Sequence, residues 1–408
     1  MTVRYGVVLF DDAFRKGRVA KMRAATNGFA SIEGGKARRI KSVTELESDV
    51  RWLTNFGFQD FNGNLLGRHP NLYSAGFLRI DLAQLSDEIG AGAEQLPVDA
   101  AAEALSGLFS RVMQLATSLL QVDLAKPIAA GITKTLCEFI NARTVNRNVP
   151  PDEINSAMEH SFQTWNACMS KFPTDWKSVT LRRPRYLHAI DILTTPVPSE
   201  RRWTYLQGQR LPSLNADRIE WCLGNELPVL ANIVVRGRRG GFADLISYSS
   251  GSSLPRTWAS QPELLLLSQY CDVEVLGAFV CEGGFEHQAE LDSFPSLGDF
   301  SLASTSLGIL AENFWVAMAS PRIQKGRKFY PPRAIWYRAM DRVLMFMRAA
   351  ELHRNQFKIF GYGTGSVIAY YPSGATQDMV ALATELGLDV PVSKYAELRT
   401  EVRLGADE

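Results

Sequence analysis

The sequence predicts a mixed α+β protein with more than one subdomain, in which a helical subdomain joins a sheet-rich region. Two observations support this class: one region carries apolar residues at helical spacing, and another carries β-branched and aromatic runs bounded by glycine and proline. The chain has 408 residues, more than one ordinary hydrophobic core accommodates. Hydrophobic residues make up 46% and charged residues 21% of the chain, as in folded proteins.

The first two predicted regions differ in composition. Residues 1–95 form an N-terminal α+β region, which opens with a buried strand at 3–10 and contains two basic segments. Residues 96–175 form the helical subdomain, because apolar side chains recur at helical spacing after Pro97. Two more helices are predicted around 132–140 and 152–169.

The third region, residues 176–408, is predicted to be a sheet-rich α+β region with a long helix at 331–354. Pro332 is suited to the first turn of that helix, whose apolar face is broad enough to be deeply buried. The other predicted elements are a hairpin of Leu230–Val235 with Phe242–Tyr248, a strand at Asp272–Val280, a second hairpin of Phe357–Phe360 with Val367–Tyr371, and a helix at Gln377–Leu388.

Charge, cysteine content and hydropathy exclude several classes of protein. A formal net charge of +1 argues against a surface wholly dedicated to polyanions, so basic patches must be local. The five cysteines form no CxxC pair, which favours a reducing, cytoplasmic location. The N-terminal apolar run is followed at once by acidic residues, unlike a signal peptide, and no apolar run is long enough to span a membrane.

No motif predicts a metal, cofactor or catalytic site. The run Gly361–Ser366 (GYGTGS) resembles a phosphate loop only in its glycines, and a strand is predicted after it, so a turn is favoured. Cys271, Cys281 and His287 match no zinc spacing, and buried structural cysteines are favoured. We therefore expect no metal and no small-molecule cofactor.

Three basic groups are the candidate nucleic-acid-binding or anion-binding residues. Glycine-flanked arginines on a turn can reach phosphates, and adjacent aromatic rings can stack on bases. The alternative is a solvated cationic surface, or arginines paired with the carboxylates of a neighbouring subunit. The groups are Lys36, Arg38 and Arg39; Arg236, Arg238 and Arg239; and Arg322, Lys325, Arg327 and Lys328.

These observations lead to one leading functional hypothesis and two alternatives. The leading hypothesis is a non-enzymatic, self-assembling structural protein, a viral or mobile-element capsid or nucleocapsid subunit that contacts RNA or DNA and forms homo-oligomers in the cytoplasm or virion. The first alternative is a nucleic-acid-binding component of a processing or defence complex that forms no lattice. The second is an enzyme whose site is assembled from distant residues such as His188, His287 and Glu286.

Overall fold

A computed structural model gives the structure of the protein. The residues that it describes are 3–10, 28–56, 69, 71–73, 97–120, 154, 166–167, 174–199, 202–242, 245–246, 257–286, 305–306, 308–310, 312–313 and 332–390.

The Cα positions divide the chain into two compact units. The N-terminal unit consists of Met1–Ile140 and Asp292–Ala317, and the C-terminal unit consists of Asn141–Leu291 and Met318–Glu408. Both contain helices and strands, which confirms the predicted mixed α+β fold with more than one subdomain. The finer boundaries predicted after residues 95 and 175 stay a prediction.

A five-stranded mixed sheet forms the centre of the N-terminal unit. Its spatial order is β3-β2-β1-β4-β5, with β1 antiparallel to β2 and parallel to β4. Strand β1 confirms the predicted buried strand, since all of its residues after the first are buried. The strands are β1 (Arg4–Leu9), β2 (Gly28–Ile32), β3 (Arg38–Ile40), β4 (Val50–Thr54) and β5 (Leu72–Tyr73).

One long helix, α1 (Val98–Leu120), packs against β1 and β2 of this sheet. The rings of Tyr5 and Phe109 meet edge to face at 5.6 Å, and the hydroxyls of Ser31 and Ser106 lie 2.7 Å apart in a hydrogen bond. This helix confirms the one predicted after Pro97, whereas the helical subdomain of 96–175 stays a prediction. The predicted helix around 132–140 lies outside the described residues.

The predicted helix at 152–169 is only partly described, and its end is wrong. Ile154 is helical, but Asn166–Ala167 forms strand β6, which pairs with a strand near the C-terminal end of the chain. The sequence does not reveal this strand, because β6 is only two residues long and consists of an asparagine and an alanine, which are not typical of strands.

The C-terminal unit contains two four-stranded antiparallel sheets and a two-stranded one. Their orders are β11-β10-β12-β9, β6-β14-β15-β7 and β13-β8. A shared hydrophobic core includes residues of both four-stranded sheets, among them Val275 and Val367. The strands are β7 (Trp176–Arg182), β8 (Val197–Pro198), β9 (Trp203–Gln207), β10 (Val229–Arg238), β11 (Trp258–Ser260), β12 (Cys271–Cys281), β13 (Phe285–Glu286), β14 (Lys358–Gly363) and β15 (Ser366–Pro372).

Among the described residues, several helices accompany these sheets. The helix α5 confirms the predicted long helix at 331–354, and α6 confirms the helix predicted from 377. The helices are α2 (Arg185–Leu193), α3 (Asn215–Gly224), α4 (Gln261–Tyr270), α5 (Pro332–Arg354) and α6 (Thr376–Glu385). No helix among the described residues is both long and apolar enough to span a membrane.

The predicted hairpin with a basic tip is wrong, although its first strand is present. Strand β10 pairs with β11 and β12, and the described residues among 242–248 belong to no strand. Phe242 lies in a turn, where its ring meets Tyr270 edge to face at 6.1 Å, and Leu245 and Ile246 are buried. Leu245 and Ile246 therefore belong to the hydrophobic core without forming a strand, although the residue types of this segment had suggested one.

Candidate functional site

Helix α5 carries charged residues into the interior of the C-terminal unit. Arg338, Asp341 and Arg342 are buried, although a buried charge is costly unless it is paired and hydrogen-bonded. The helix packs against α4 and β14, so its charged side chains face protein on several sides. A buried cluster of ionisable groups is where a functional site is first sought.

The carboxylate of Asp341 holds the turn between β14 and β15. Its Oδ2 accepts the backbone N–H of Thr364 at 2.6 Å, and its Oδ1 accepts that of Gly365 at 2.8 Å. The Nε2 atom of His188, on α2, lies 2.9 Å from the same Oδ1. Three groups from two other segments therefore converge on one carboxylate.

The turn itself requires glycine at one position. Thr364 and Gly365 both have positive φ angles, 50° and 65°, as in the two-residue turns that match the twist of a hairpin. A side chain at Gly365 would place its Cβ 2.9 Å from the His188 ring. The GYGTGS run is therefore a hairpin turn, as favoured from the sequence, and its amides bind a carboxylate of the protein.

A second buried ion pair joins α5 to α4. The Nε and Nη2 atoms of Arg342 lie 3.0 and 2.9 Å from Oε1 of Glu263, and both side chains are almost fully buried. In the same unit, Arg183 and Asp191 form a two-point ion pair with distances of 2.8 and 3.2 Å. Burial, with the guanidinium of Arg183 as a smaller cause, lowers the pKa of Arg348.

The structure separates the residues that the sequence grouped into a composite enzyme site. His188 belongs to the Asp341 cluster, whereas Glu286 forms an ion pair with Arg333. His287 lies outside the described residues. Cys271 and Cys281 are buried at opposite ends of β12, about 30 Å apart at the usual rise per residue, so they do not share a zinc ion.

The first basic group lies on an edge strand of the N-terminal unit. Arg38 donates to a carboxylate oxygen of Glu47 and to the carbonyl oxygen of Glu45, both at 2.8 Å. Arg39 is exposed beside it on β3, and Lys36 is exposed just before the strand. These residues stay a predicted anion-binding group.

The second basic group lies at the end of β10, where its described side chains pair with carboxylates of β12. Arg236 donates to Glu274, with Nε at 3.0 Å and Nη2 at 2.6 Å from Oε2. Arg239 pairs with Asp272. All four of these side chains are substantially exposed, and only the backbone of Arg238 is described. The third group, Arg322, Lys325, Arg327 and Lys328, lies outside the described residues.

Sequence reasoning missed Asp341, Glu263 and Arg342. A signal was present, because a helix that is apolar over most of its circumference is buried, and any charge in it must then find a partner. The partners themselves lie 79 positions apart in the case of Glu263 and Arg342, so the pairing could not be read from spacing.

The comparisons with known proteins identify a fold. No family model matches the sequence, and no curated protein sequence matches it. Among solved structures, Phi29 DNA polymerase complexed with primer–template DNA matches with a TM-score of 0.50 and 9% identity, over 90% of this chain and 80% of that one. Its ternary complex with nucleotides matches at 0.45 over the same shares, and its complex with single-stranded DNA matches at 0.43 over 73% and 60%.

This likeness corrects the leading functional hypothesis. The chain has a fold similar to that of a DNA polymerase, and no capsid or virion protein is among the matching structures reported above. The prediction of a capsid-type structural protein is therefore wrong. The prediction of a non-enzymatic protein is contradicted as well, because the fold that the chain shares is that of an enzyme.

A polymerase-type metal site does not fit the described residues. Such enzymes hold two divalent ions with carboxylates. Within the described ranges, no group of three or more His, Cys, Asp or Glu side chains could hold a metal ion. Asp341 is already bound to two amides and lies beside His188.

Proposed function

We propose that this protein binds nucleic acid as a component of a processing complex, without forming a lattice. The observation that carries the proposal is the likeness of 90% of the chain to a DNA polymerase that was solved with primer–template DNA. Fold likeness at this identity does not transfer an activity residue by residue. It does favour a nucleic-acid partner over a structural role in a shell.

The exposed arginines of β10 are the residues that we assign to phosphate contacts. Arg236 and Arg239 are each paired with an exposed carboxylate, and such pairs contribute roughly 0–1 kcal/mol. A phosphate can therefore replace the carboxylate at little cost, since arginine binds both groups through the same two-point geometry. Exposed ion pairs of this kind are compatible with a binding surface, whereas buried ones are not.

The proposal is tested by measuring binding across a range of salt concentrations. Fluorescence anisotropy with labelled single-stranded DNA, single-stranded RNA and primer–template DNA gives the affinity and its dependence on salt. We expect binding that weakens steeply as salt rises, because each phosphate contact releases counterions. The triple variant Arg236→Gln, Arg238→Gln, Arg239→Gln is expected to lower the salt slope by about one unit for each lost contact.

The matched control is Arg4→Gln. Arg4 is also an exposed arginine paired with a carboxylate, that of Asp49 at 2.7 Å, but it belongs to none of the predicted basic groups. Light scattering on the same samples measures the mass, since the formation of homo-oligomers stays a prediction. Absence of binding to all three ligands at low salt contradicts the proposal, and so does a triple variant that behaves like Arg4→Gln.

A further inference from the structure

Three aromatic rings meet on one face of the sheet β11-β10-β12-β9. The rings of Trp258 and Phe279 are stacked at 5.4 Å with 25° between their planes, and Tyr205 lies 4.8 Å from Phe279. Tyr205 and Trp258 come from the two outer strands, yet their rings are only 6.4 Å apart. Both are partly exposed, whereas Phe279 is buried beneath them.

A glycine in the central strand makes this arrangement possible. Gly277 lies between the outer strands, opposite Gln207 on one side and Asn232 on the other. A Cβ at Gly277 would lie within 3.1 Å of three atoms of the Tyr205 side chain. The Tyr205 ring therefore lies across the backbone of β12, which brings it towards Trp258. We call Tyr205, Trp258 and Phe279 the aromatic platform.

The aromatic platform and Arg236, which belongs to the second basic group, lie on the same face of the sheet. Trp258 is opposite Asn232, and Val234, two residues further along β10, is opposite Glu274. Arg236 lies at a bulge in β10, and its guanidinium binds Glu274, which places it on the side of Asn232 about 13 Å along the strand. Gln207, which is exposed, and Asn232 carry amide groups and lie in the same row of the sheet as Trp258. A base can stack on partly exposed aromatic rings, and amides can form hydrogen bonds with the edge of that base. An exposed guanidinium further along the strand can bind a phosphate.

We propose that the aromatic platform binds single-stranded nucleic acid by stacking a base on the rings of Tyr205 and Trp258, while Arg236 contacts a phosphate of the same strand. The inference rests on the proposed function and adds to it the single-stranded form of the ligand and the residues that bind it. Some nucleic-acid-binding modules stack bases on aromatic side chains of a four-stranded sheet in this way.

The test compares stacking with phosphate contact. Anisotropy is measured with a labelled single-stranded oligonucleotide and with an abasic oligonucleotide of the same length and phosphate number. The variants are Trp258→Leu, which removes the ring, and Trp258→Phe, which keeps an aromatic face. We expect Trp258→Leu and the abasic ligand each to weaken binding by about tenfold or more, with an unchanged salt slope, and Trp258→Phe to retain most of the affinity.

Trp176→Ala is the matched control, because Trp176 is also a partly exposed tryptophan at the edge of a sheet, on β7, where Lys358 lies over its ring. It is expected to leave the affinity unchanged. Tyr205→Leu provides a second variant if Trp258→Leu does not fold, as judged by circular dichroism. Full affinity of both leucine variants, or equal affinity for the abasic ligand, overturns the platform while leaving the proposed function intact. Absence of binding by the wild-type protein to any ligand overturns both.

Discussion

The C-terminal unit contains buried carboxylates and exposed carboxylates that are bound to other side chains. The buried ones maintain the fold, whereas the exposed pairs leave arginines that a ligand can reach. The carboxylates of Asp341 and Glu263 are buried and bound by groups from other segments. Those of Glu274 and Asp272, on β12, are exposed and pair with Arg236 and Arg239 at the end of the neighbouring strand β10. A buried pair that loses one partner leaves an uncompensated charge, whereas an exposed partner is replaced by water or by a phosphate.

The largest effect is expected from removing the carboxylate of Asp341. Asp341→Ala leaves the amides of Thr364 and Gly365 without their acceptor and removes the partner of His188. We expect the free energy of unfolding to fall by about 3–5 kcal/mol, measured by urea denaturation. The control is Glu385→Gln, at an exposed position at the end of α6, with an expected change within about 0.5 kcal/mol. Equal effects of the two substitutions would contradict a structural role for Asp341.

The pair of Glu263 and Arg342 allows the comparison to be sharpened by a double-mutant cycle. Arg342→Met alone leaves Glu263 buried without this guanidinium, and we expect a loss of about 3 kcal/mol. Glu263→Met in addition should recover a large part of that loss, because a well-packed apolar pair can replace a buried ion pair. If the losses of stability caused by the two substitutions instead add up in the double variant, the two charges are stabilised independently of each other.

A smaller loss is expected from the turn that Asp341 holds. Gly365→Ala places a side chain at a φ of 65° and brings its Cβ against His188, which costs about 2 kcal/mol. Gly374→Ala is the matched control, since its Cβ would meet nothing within 4 Å. A thermal melt of each variant measures the difference. If Gly365→Ala unfolds at the same temperature as Gly374→Ala, the close packing of His188 on the turn is wrong.

The sequence predicted those elements whose signal is local. The strand β1, the long helix α5 and the hairpin of β14 and β15 follow from runs of apolar residues and from glycines at a turn. The pairing of β10 could not be predicted, because the apolar residues that suggested its partner strand lie outside any strand, with Leu245 and Ile246 buried in the hydrophobic core. Register and partner depend on contacts between distant segments, which a single sequence does not display.

The residues of the candidate site also differ in whether a local sequence pattern reveals them. Arg236 and Arg239 were found from the sequence because a cluster of arginines beside glycines is visible in one short segment. The aromatic platform was not found, since Tyr205, Trp258 and Phe279 are far apart in sequence and are typical of any hydrophobic core. Only the sheet order and the absence of a side chain at Gly277 bring their rings together.

The smallest effect on stability is expected from the exposed pairs. Arg236→Gln with Arg239→Gln breaks the contacts with Glu274 and Asp272, and we expect the free energy of unfolding to change by less than about 1 kcal/mol. Urea denaturation at low and high salt measures this change, which should shrink further as salt screens the pairs. A loss comparable to that of Asp341→Ala would mean that these arginines maintain the fold, and a phosphate could then not displace their carboxylates at little cost.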